Sequence, residues 1–401
     1  MVRGVAVMGI LLLNVVGFAM PEAAYTNPRA FGGWHGADLG VWLTNFVLFD
    51  GKMRALFSFL FGASMLLVIE RAEASGRDPA RVHYLRMLWL LAFGLAHLWL
   101  IWDGDILAQY AVIGMIAFAA RDLPVVRLVT LGAMLVAFDL VTTAQLPLAI
   151  FQHQCCASSP EQAAEYARDL AGWARTLGTP PPHEIAQSIA VHQGGWIDLV
   201  RHRLMENPAG PLPSLLFSGA ETLAYMLFGM AGLRSGMLAG AWEPARYRRW
   251  LWISWGIALP AYAALAFYLV WTQFSLFSVG LAIALAVPVR PVMAIGWACL
   301  ILLLTRNGGA LTGRIAAAGR MAFTNYLATS LICTTLFYGY GLGWFGSLSR
   351  WQLYPIVFGI WALMLLWSKP WLARFRFGPL EWMWRSLARG RLELIRGGAT
   401  N

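Results

Sequence analysis

The sequence contains few charged residues. Only 12% of its 401 residues are Asp, Glu, Lys or Arg, about half the share of a typical soluble domain, whereas 59% are hydrophobic. This composition excludes a disordered chain and a coiled coil, both of which are rich in charge. A soluble domain of this length does not need so much apolar surface. The composition therefore predicts an all-α, polytopic membrane protein.

Cysteines and known catalytic motifs are also scarce. The sequence has four cysteines, and their spacing predicts neither a disulfide framework nor a metal site; the adjacent pair Cys155 and Cys156 is expected to stay unbonded. No phosphate-binding glycine loop, serine-hydrolase elbow or zinc-protease motif occurs in a suitable context. These absences exclude soluble-type ATPases, hydrolases and dehydrogenases, and no metal cofactor is expected.

Long apolar runs are abundant. If each is required to reach roughly 20 residues, about ten membrane-spanning helices result. A porin-type barrel is excluded, because its strands are short and alternate in polarity. The run 39–70 carries charges around Asp50, and the run 274–305 is interrupted by Pro288 and Pro291, so both are expected to be irregular. The predicted spans are 4–20, 39–70, 82–102, 105–120, 125–150, 213–234, 250–271, 274–305, 321–340 and 352–369.

Arginine dominates the charge of the chain. The net charge of +10 comes from 28 Arg and 2 Lys against 20 acidic residues. Five arginine clusters fall on one side of the membrane if each irregular run crosses once, and the positive-inside rule makes that side cytoplasmic. We therefore predict a membrane protein with both termini in the cytoplasm, membrane lipids as partners and no nucleic-acid partner. The clusters, which together define the arginine-rich end, lie in 71–86, 121–127, 234–249, 306–320 and 374–396.

A polar segment divides the chain into two halves. Residues 151–212 are rich in charged side chains and are predicted to lie outside the cytoplasm, as two short helices at 160–176 and 183–206. No internal repeat is evident. The predicted organisation is a five-span N-terminal half at 1–150, an extracytoplasmic helical segment at 151–212, a five-span C-terminal half at 213–373, and a cytoplasmic interfacial helix and tail at 374–401.

The strongest catalytic candidate is a histidine near the outer end of a predicted span. Unpaired polar groups inside a membrane are costly, so His97 in the run 82–102 indicates a functional site. Asp103 lies on the wrong face of the same helix, so a carboxylate partner for His97 must come from the following turn or from another span. Asp105 in that turn is also suited to cap the next helix. His97, Asp103 and Asp105 are the predicted catalytic residues, with His35 as a second choice of base and simple packing as the alternative interpretation.

Five further polar residues are candidates for binding a cofactor. Arg3 and Asn14 are eleven residues apart and share one helix face. Asp50 and Arg54 have the spacing of an ion pair within one helix. The full set is expected to face a cavity shared with His97, although anchoring arginines and interhelical hydrogen bonds would explain the same residues. The set comprises Arg3, Asn14, Arg54, Arg320 and Asn325.

These motifs carry a family resemblance. Over nearly its whole length the chain resembles a bacterial membrane-protein family of unknown function typified by YeiB. The matching motifs are Val2–Asn14 with its Arg-Gly pair, Lys52 with Leu56–Phe57, Leu60–Gly62, Gly94 with His97, Trp102–Leu107, Gly319–Ala322 with Thr324–Leu327, and Gly378–Pro379 with Glu381, Trp382, Trp384 and Arg385. The resemblance implies that the protein lies in the bacterial cytoplasmic (inner) membrane.

The N-terminal half is also distantly similar to membrane acyltransferases such as heparan-α-glucosaminide N-acetyltransferase. Those proteins share the Arg-Gly first helix and move an acyl group from cytosolic acyl-CoA to a glycan across the membrane. The resemblance implies acyl-CoA as co-substrate, with phosphates near Arg54 and Arg320, and an extracytoplasmic glycan or small-molecule acceptor near His97. Two other interpretations remain open from the residues: a transporter or exporter of a small metabolite, and a non-catalytic lipid-binding membrane scaffold.

Overall fold

The protein is a bundle of α-helices, as its composition predicts. The structure, a computed structural model, describes residues 1–206 and 208–396; residue 207 of the polar segment and residues 397–401 of the predicted tail lie outside the described residues. Across those two ranges the β-structure is limited to one isolated bridge, between Phe375 and Arg396.

Helices cover every one of the predicted apolar runs. In chain order they are α1 (Val2–Ala19), α2 (Ala23–Thr26), α3 (Gly36–Leu48), α4 (Lys52–Ala74), α5 (Pro79–Leu100), α6 (Leu107–Ala117), α7 (Val125–Cys155), α8 (Pro160–Leu177), α9 (Pro182–His192), α10 (Trp196–Glu206), α11 (Leu212–Arg234), α12 (Pro244–Trp271), α13 (Leu276–Ala286), α14 (Val289–Leu304), α15 (Ala310–Arg320), α16 (Ala322–Phe337), α17 (Leu353–Arg374) and α18 (Pro379–Arg389).

Fewer helices have spanning length and composition than the ten that the sequence predicts. Within the described residues there are six, with α3 and α4 counted together, or seven if the bent pair α13–α14 makes one crossing. The other predicted spans are the helices α5, α6 and α16. At 11 and 16 residues, α6 and α16 rise about 16 and 24 Å, less than a hydrocarbon core about 30 Å thick.

Two interrupted helices meet near the middle of the bundle. The break between α3 and α4 is at Gly51, whose φ of 69° is a left-handed conformation that favours glycine. The predicted break in the run 274–305 is present, and α13 and α14 diverge there by 55°. The side chain of Arg290, at the start of α14, packs directly against Gly51. Met53, two residues after Gly51, contacts Gly9 in the middle of α1. This contact places both breaks halfway through the bundle.

The two halves of the chain pack tightly through α4 and α11. The backbone of Gly62 lies against the Met226 carbonyl, and Gly229 lies in the same way against the Phe59 carbonyl. A side chain at either glycine would collide with the facing backbone, so the reciprocal contact requires both. This close approach aligns Arg54 on α4 with Glu221 on α11.

The arginine clusters gather at one end of the bundle. Arg234 donates hydrogen bonds to the carbonyls of Arg121, at 2.5 Å, and of Leu123. Arg86 lies 4.2 Å from the ring centroid of Trp384 on α18. These contacts join clusters that are far apart in the sequence, as the predicted arginine-rich end requires.

The polar segment covers the opposite end of the bundle. Trp196 Nε1 donates to the Leu100 carbonyl at 2.8 Å, and Gln193 Nε2 donates to the Phe345 carbonyl at 3.2 Å. The prediction of two helices in this segment was wrong: α8, α9 and α10 form, because Gly194 and Gly195 interrupt the second. Cys155 and Cys156, expected to stay unbonded, are joined by a disulfide.

The orientation of the bundle can be tested by cysteine labelling. In a variant whose native cysteines are replaced by serine, we expect a cysteine at exposed Glu165 to react with an impermeant maleimide from outside the cell. A cysteine at exposed Arg77 should react only after permeabilisation, because the positive-inside rule keeps that loop in the cytoplasm. The reverse pattern would contradict the predicted orientation.

Docking of the polar segment should depend on pH. His192 stacks on Phe345 with ring centroids 4.1 Å apart, and its carbonyl accepts from Gly339. Burial lowers the pKa of His192 below its usual value, so the fold favours the neutral ring. As the pH falls below about 6.5, the unfolded chain takes up a proton more readily than the fold, and the folded state is destabilised. We expect the thermal unfolding temperature to fall with acidification and to fall less in His192→Phe.

Candidate functional site

His97 and Asp105 form a buried dyad. His97 Nδ1 lies 2.7 Å from Asp105 Oδ1, and both side chains are at most 1% exposed. The second oxygen of Asp105 accepts a hydrogen bond from Ala108 N at 2.8 Å, so the same carboxylate caps α6. Of the two sources that the sequence left open for the partner, the turn folding back or another span, the structure selects the turn, and the predicted capping role of Asp105 is confirmed. His97 Nε2 is buried and has no hydrogen-bond partner among the described residues.

The other two predicted catalytic residues lie outside this dyad. Asp103 is exposed in the turn between α5 and α6. His35 is exposed just before α3, with its ring 4.1 Å from that of Trp34, and makes no polar contact with His97. His97 itself is 1% exposed, because the turn between α5 and α6 folds over it.

Helices α1 and α16 complete the surroundings of the dyad. The ring of Tyr326 on α16 is 5.4 Å from that of His97. The Trp102 ring is 6.3 Å from His97 and stacks on Phe18 of α1 at 3.9 Å. His97 is therefore enclosed by α1, α16 and its own helix α5.

The polar face of α1 is directed towards the same interior. Gly17 faces the ring of Trp102, and Asn14 lies three residues earlier, hence on a neighbouring part of the helix surface. Asn14 is half-buried and makes no side-chain hydrogen bond within the part of the chain that the structure describes. Arg3 continues this face at the arginine-rich end.

Three arginines approach one another at the arginine-rich end of these helices. Arg86 on α5 is close enough to Arg3 and Arg385 for electrostatic repulsion. Glu381, the nearby acid, accepts hydrogen bonds from Phe323 N and Thr324 N at 2.8 and 3.1 Å and caps α16. The charge of Glu381 still reaches Arg3 and Arg385, but the arginines outnumber it, so the cluster keeps an excess of positive charge.

The remaining predicted cofactor residues do not share one cavity. Asn325 is buried and fully engaged: it donates to the Ala318 carbonyl and Ser368 Oγ and accepts from Trp367 Nε1, at 3.0–3.2 Å. Arg320 is exposed at the end of α15. Arg54 does not pair with Asp50, as its spacing suggests, but with a residue of another helix.

That partner is Glu221, the centre of a second polar cluster. Glu221 is 1% exposed and forms ion pairs with Arg54 and with Arg290 NH1, the latter at 2.6 Å. It also accepts a hydrogen bond from Tyr225 at 2.6 Å. The Glu221 carboxylate therefore binds two guanidinium groups. Arg54 lies near the start of α4 and Arg290 near the start of α14, each just after the break in an interrupted helix.

Sequence reasoning missed Glu221. It is the sole acidic residue of the predicted span 213–234, and this signal was sufficient to single it out. Arg290 is a charged residue inside the predicted span 274–305, where burial of a charge is costly. Its side chain packs beside Gly51, and this position explains how the bundle accommodates it.

The fold and these sites define a class of protein: a polytopic α-helical membrane protein with ionisable groups paired inside the bundle. A family described as "Protein of unknown function (DUF418)" matches residues 233–391. The chain is 35% identical to the uncharacterized protein YeiB of Escherichia coli (strain K12), over 96% of this chain and 94% of that protein. The chain belongs to this YeiB-type family, which confirms the resemblance drawn from its motifs.

A second relative is more distant. The uncharacterized protein YxaH of Bacillus subtilis (strain 168) is 29% identical over 96% of this chain and 92% of its own length. No solved structure matches the chain. The similarity to acyltransferases stays a prediction.

Proposed function

We propose that the protein is a membrane acyltransferase that uses acyl-CoA and an extracytoplasmic acceptor, with His97 as general base. The supporting observation is the dyad itself. Asp105 holds His97 through Nδ1, and Nε2 has no hydrogen-bond partner within residues 1–206 and 208–396. A base oriented by a carboxylate is the arrangement that activates a hydroxyl or an amine for attack on an acyl carbon.

The arginine-rich end of α1 and α5 has the charge needed to bind the acyl donor. Arg3, Arg86 and Arg385 supply positive charge for the phosphates of coenzyme A. Arg86 and His97 are eleven residues apart on α5, about 16 Å along the helix. The extended arm that joins the phosphates of coenzyme A to its thioester would bridge this distance, with the acyl carbonyl near the dyad.

In this reaction the acceptor loses a proton to His97 Nε2 as its oxygen or nitrogen attacks the thioester carbon. The carbon–sulfur bond breaks, and the coenzyme A thiolate leaves and takes up a proton. The carboxylate of Asp105 stabilises the imidazolium that forms in between. The acceptor is then released on the side covered by the polar segment.

Release of free thiol tests this proposal. Purified protein in detergent or nanodiscs would be incubated with acetyl-CoA or longer acyl-CoA and a panel of amino sugars and glycans. We expect time-dependent coenzyme A release and an acylated product detected by mass spectrometry. The absence of both with the whole panel, or equal turnover by a sample lacking the protein, would contradict acyl transfer.

A second candidate, the transport of a small metabolite, is supported by a different observation. Interrupted helices that meet at mid-membrane around ionisable residues are typical of secondary transporters. Here α3–α4 and α13–α14 meet at Glu221, Arg54 and Arg290. Flux of a labelled metabolite into proteoliposomes, driven by a proton or ion gradient, would favour this candidate, and thiol release without flux would favour the enzyme.

A further inference from the structure

A cavity distinct from the dyad lies between α1, α3, α12 and α13. The cavity is partly open, and its volume is about 60 Å³, several times what one water molecule needs. Leu13 and Val16 of α1 line it, whereas Gly17 faces Trp102 beside His97. Helix α1 therefore separates this cavity, which we call the α3 cavity, from the proposed catalytic site.

One end of the α3 cavity, which we call its floor, is lined by Asp50, Tyr262 and Arg290. It contains a carboxylate that is free to bind a ligand. Asp50 lines the cavity, and its side chain makes no hydrogen bond or ion pair with any described residue. The two basic residues that follow Asp50 in the sequence, Lys52 and Arg54, contact other groups and do not pair with it. Lys52 donates to the Phe46 carbonyl and lies 3.2 Å from the ring centroid of Tyr262, and Arg54 pairs with Glu221.

The floor of the α3 cavity also contains hydrogen-bond donors. Tyr262 is 1% exposed, lines the cavity, and its hydroxyl has no hydrogen-bond partner among the described residues. The side chain of Arg290 is 17% exposed and packs against Gly51, next to Asp50. The Tyr262 hydroxyl and the Arg290 side chain lie side by side, so together they are suited to bind an anionic group.

The charges around the floor balance. Lys52, Arg54 and Arg290 oppose Asp50, Glu221 and Asp139, which is buried within electrostatic range of both arginines. Arg350, which also lines the cavity, lies within electrostatic range of Asp38. A ligand with a net charge would upset this balance in a medium of low dielectric constant, whereas a zwitterion would preserve it.

We propose that the α3 cavity binds a small zwitterion with an apolar body. Its ammonium group contacts Asp50, and its carboxylate contacts Arg290 and the Tyr262 hydroxyl. The apolar body lies against Trp42 and Phe46, whose rings are stacked 4.9 Å apart. Because α1 separates the two sites, this proposal is independent of whether the dyad transfers acyl groups.

Calorimetric titration of the full-length protein in nanodiscs tests the proposal. The probes are L-phenylalanine, 2-phenylethylamine, which lacks the carboxylate, and 3-phenylpropionate, which lacks the ammonium group. We expect phenylalanine to bind at least about tenfold more tightly than either singly charged probe. If either of them binds as tightly as phenylalanine, or if phenylalanine does not bind, the proposal is wrong.

Two variants locate the binding. Asp50→Asn and Tyr262→Phe should each weaken phenylalanine binding, Asp50→Asn by at least about tenfold. Asp122→Asn, at a side chain that is 73% exposed, should bind as the unmodified protein does. Tyr262→Phe keeps the ring beneath Lys52 and so provides the test if Asp50→Asn does not fold. Unchanged binding in a folded Asp50→Asn variant, or in Tyr262→Phe, would overturn the assignment.

Discussion

His97→Gln is expected to lower the rate of acyl transfer by about 10²- to 10⁴-fold, the range that a positioned general base contributes. Glutamine is similar in size and can still donate a hydrogen bond to Asp105, so α5 and the cap of α6 should remain intact. It cannot take a proton from the acceptor. The initial rate of thiol release at saturating acyl-CoA measures the loss.

His83 provides the matched control. It lies on the same helix, is 1% exposed, and its Nε2 is 2.9 Å from the Gly114 carbonyl, with no carboxylate partner. We expect His83→Gln to keep most of the activity. Full activity in His97→Gln would make His97 a packing residue, and an equal loss in His83→Gln would assign the effect to disturbed packing of α5.

Glu221→Gln is expected to destabilise the fold more than any surface substitution. Removing this carboxylate takes away the ion-pair partner of two guanidinium groups inside the bundle, and breaking a buried pair in this way typically costs about 3–5 kcal/mol. We expect a large decrease in the thermal unfolding temperature of purified protein, or loss of folded protein from the membrane fraction.

Partial rescue would identify the cause. In the double variant Glu221→Gln with Arg290→Gln, the number of guanidinium groups that have lost this partner falls from two to one, so part of the lost stability should return. Glu73→Gln, at an exposed position near the end of α4, should be neutral. A Glu221→Gln variant as stable as the unmodified protein would show that the ion pairs contribute no net stability.

Local sequence was sufficient to predict helices in the apolar runs, although not to predict how many form in the polar segment. Each predicted apolar run is helical, because uninterrupted apolar residues in a bilayer must satisfy their backbone hydrogen bonds within the segment. The break at Pro288 followed from proline chemistry in the same way. The number of membrane spans could not be predicted from the sequence in this way, because length and composition do not determine how far a short helix such as α6 or α16 reaches across the membrane.

The dyad was partly predictable. The facts that His97 needs a partner and that Asp103 cannot supply it follow from helix geometry alone. The sequence restricted the partner to the turn or to another span, and the return of the turn onto α5 selected Asp105. The burial of both side chains depends on how the turn packs against α1 and α16, which no local pattern encodes.

The sequence by itself determined an all-α membrane bundle, its arginine-rich end and a short list of costly polar residues. Only the tertiary structure decided which of them meet. Arg54 has Asp50 one turn before it, yet pairs with Glu221, because the facing glycines Gly62 and Gly229 bring α4 and α11 into close contact. Ion pairs between helices depend on distances set by packing, and residues far apart in sequence carry no local signal of that distance.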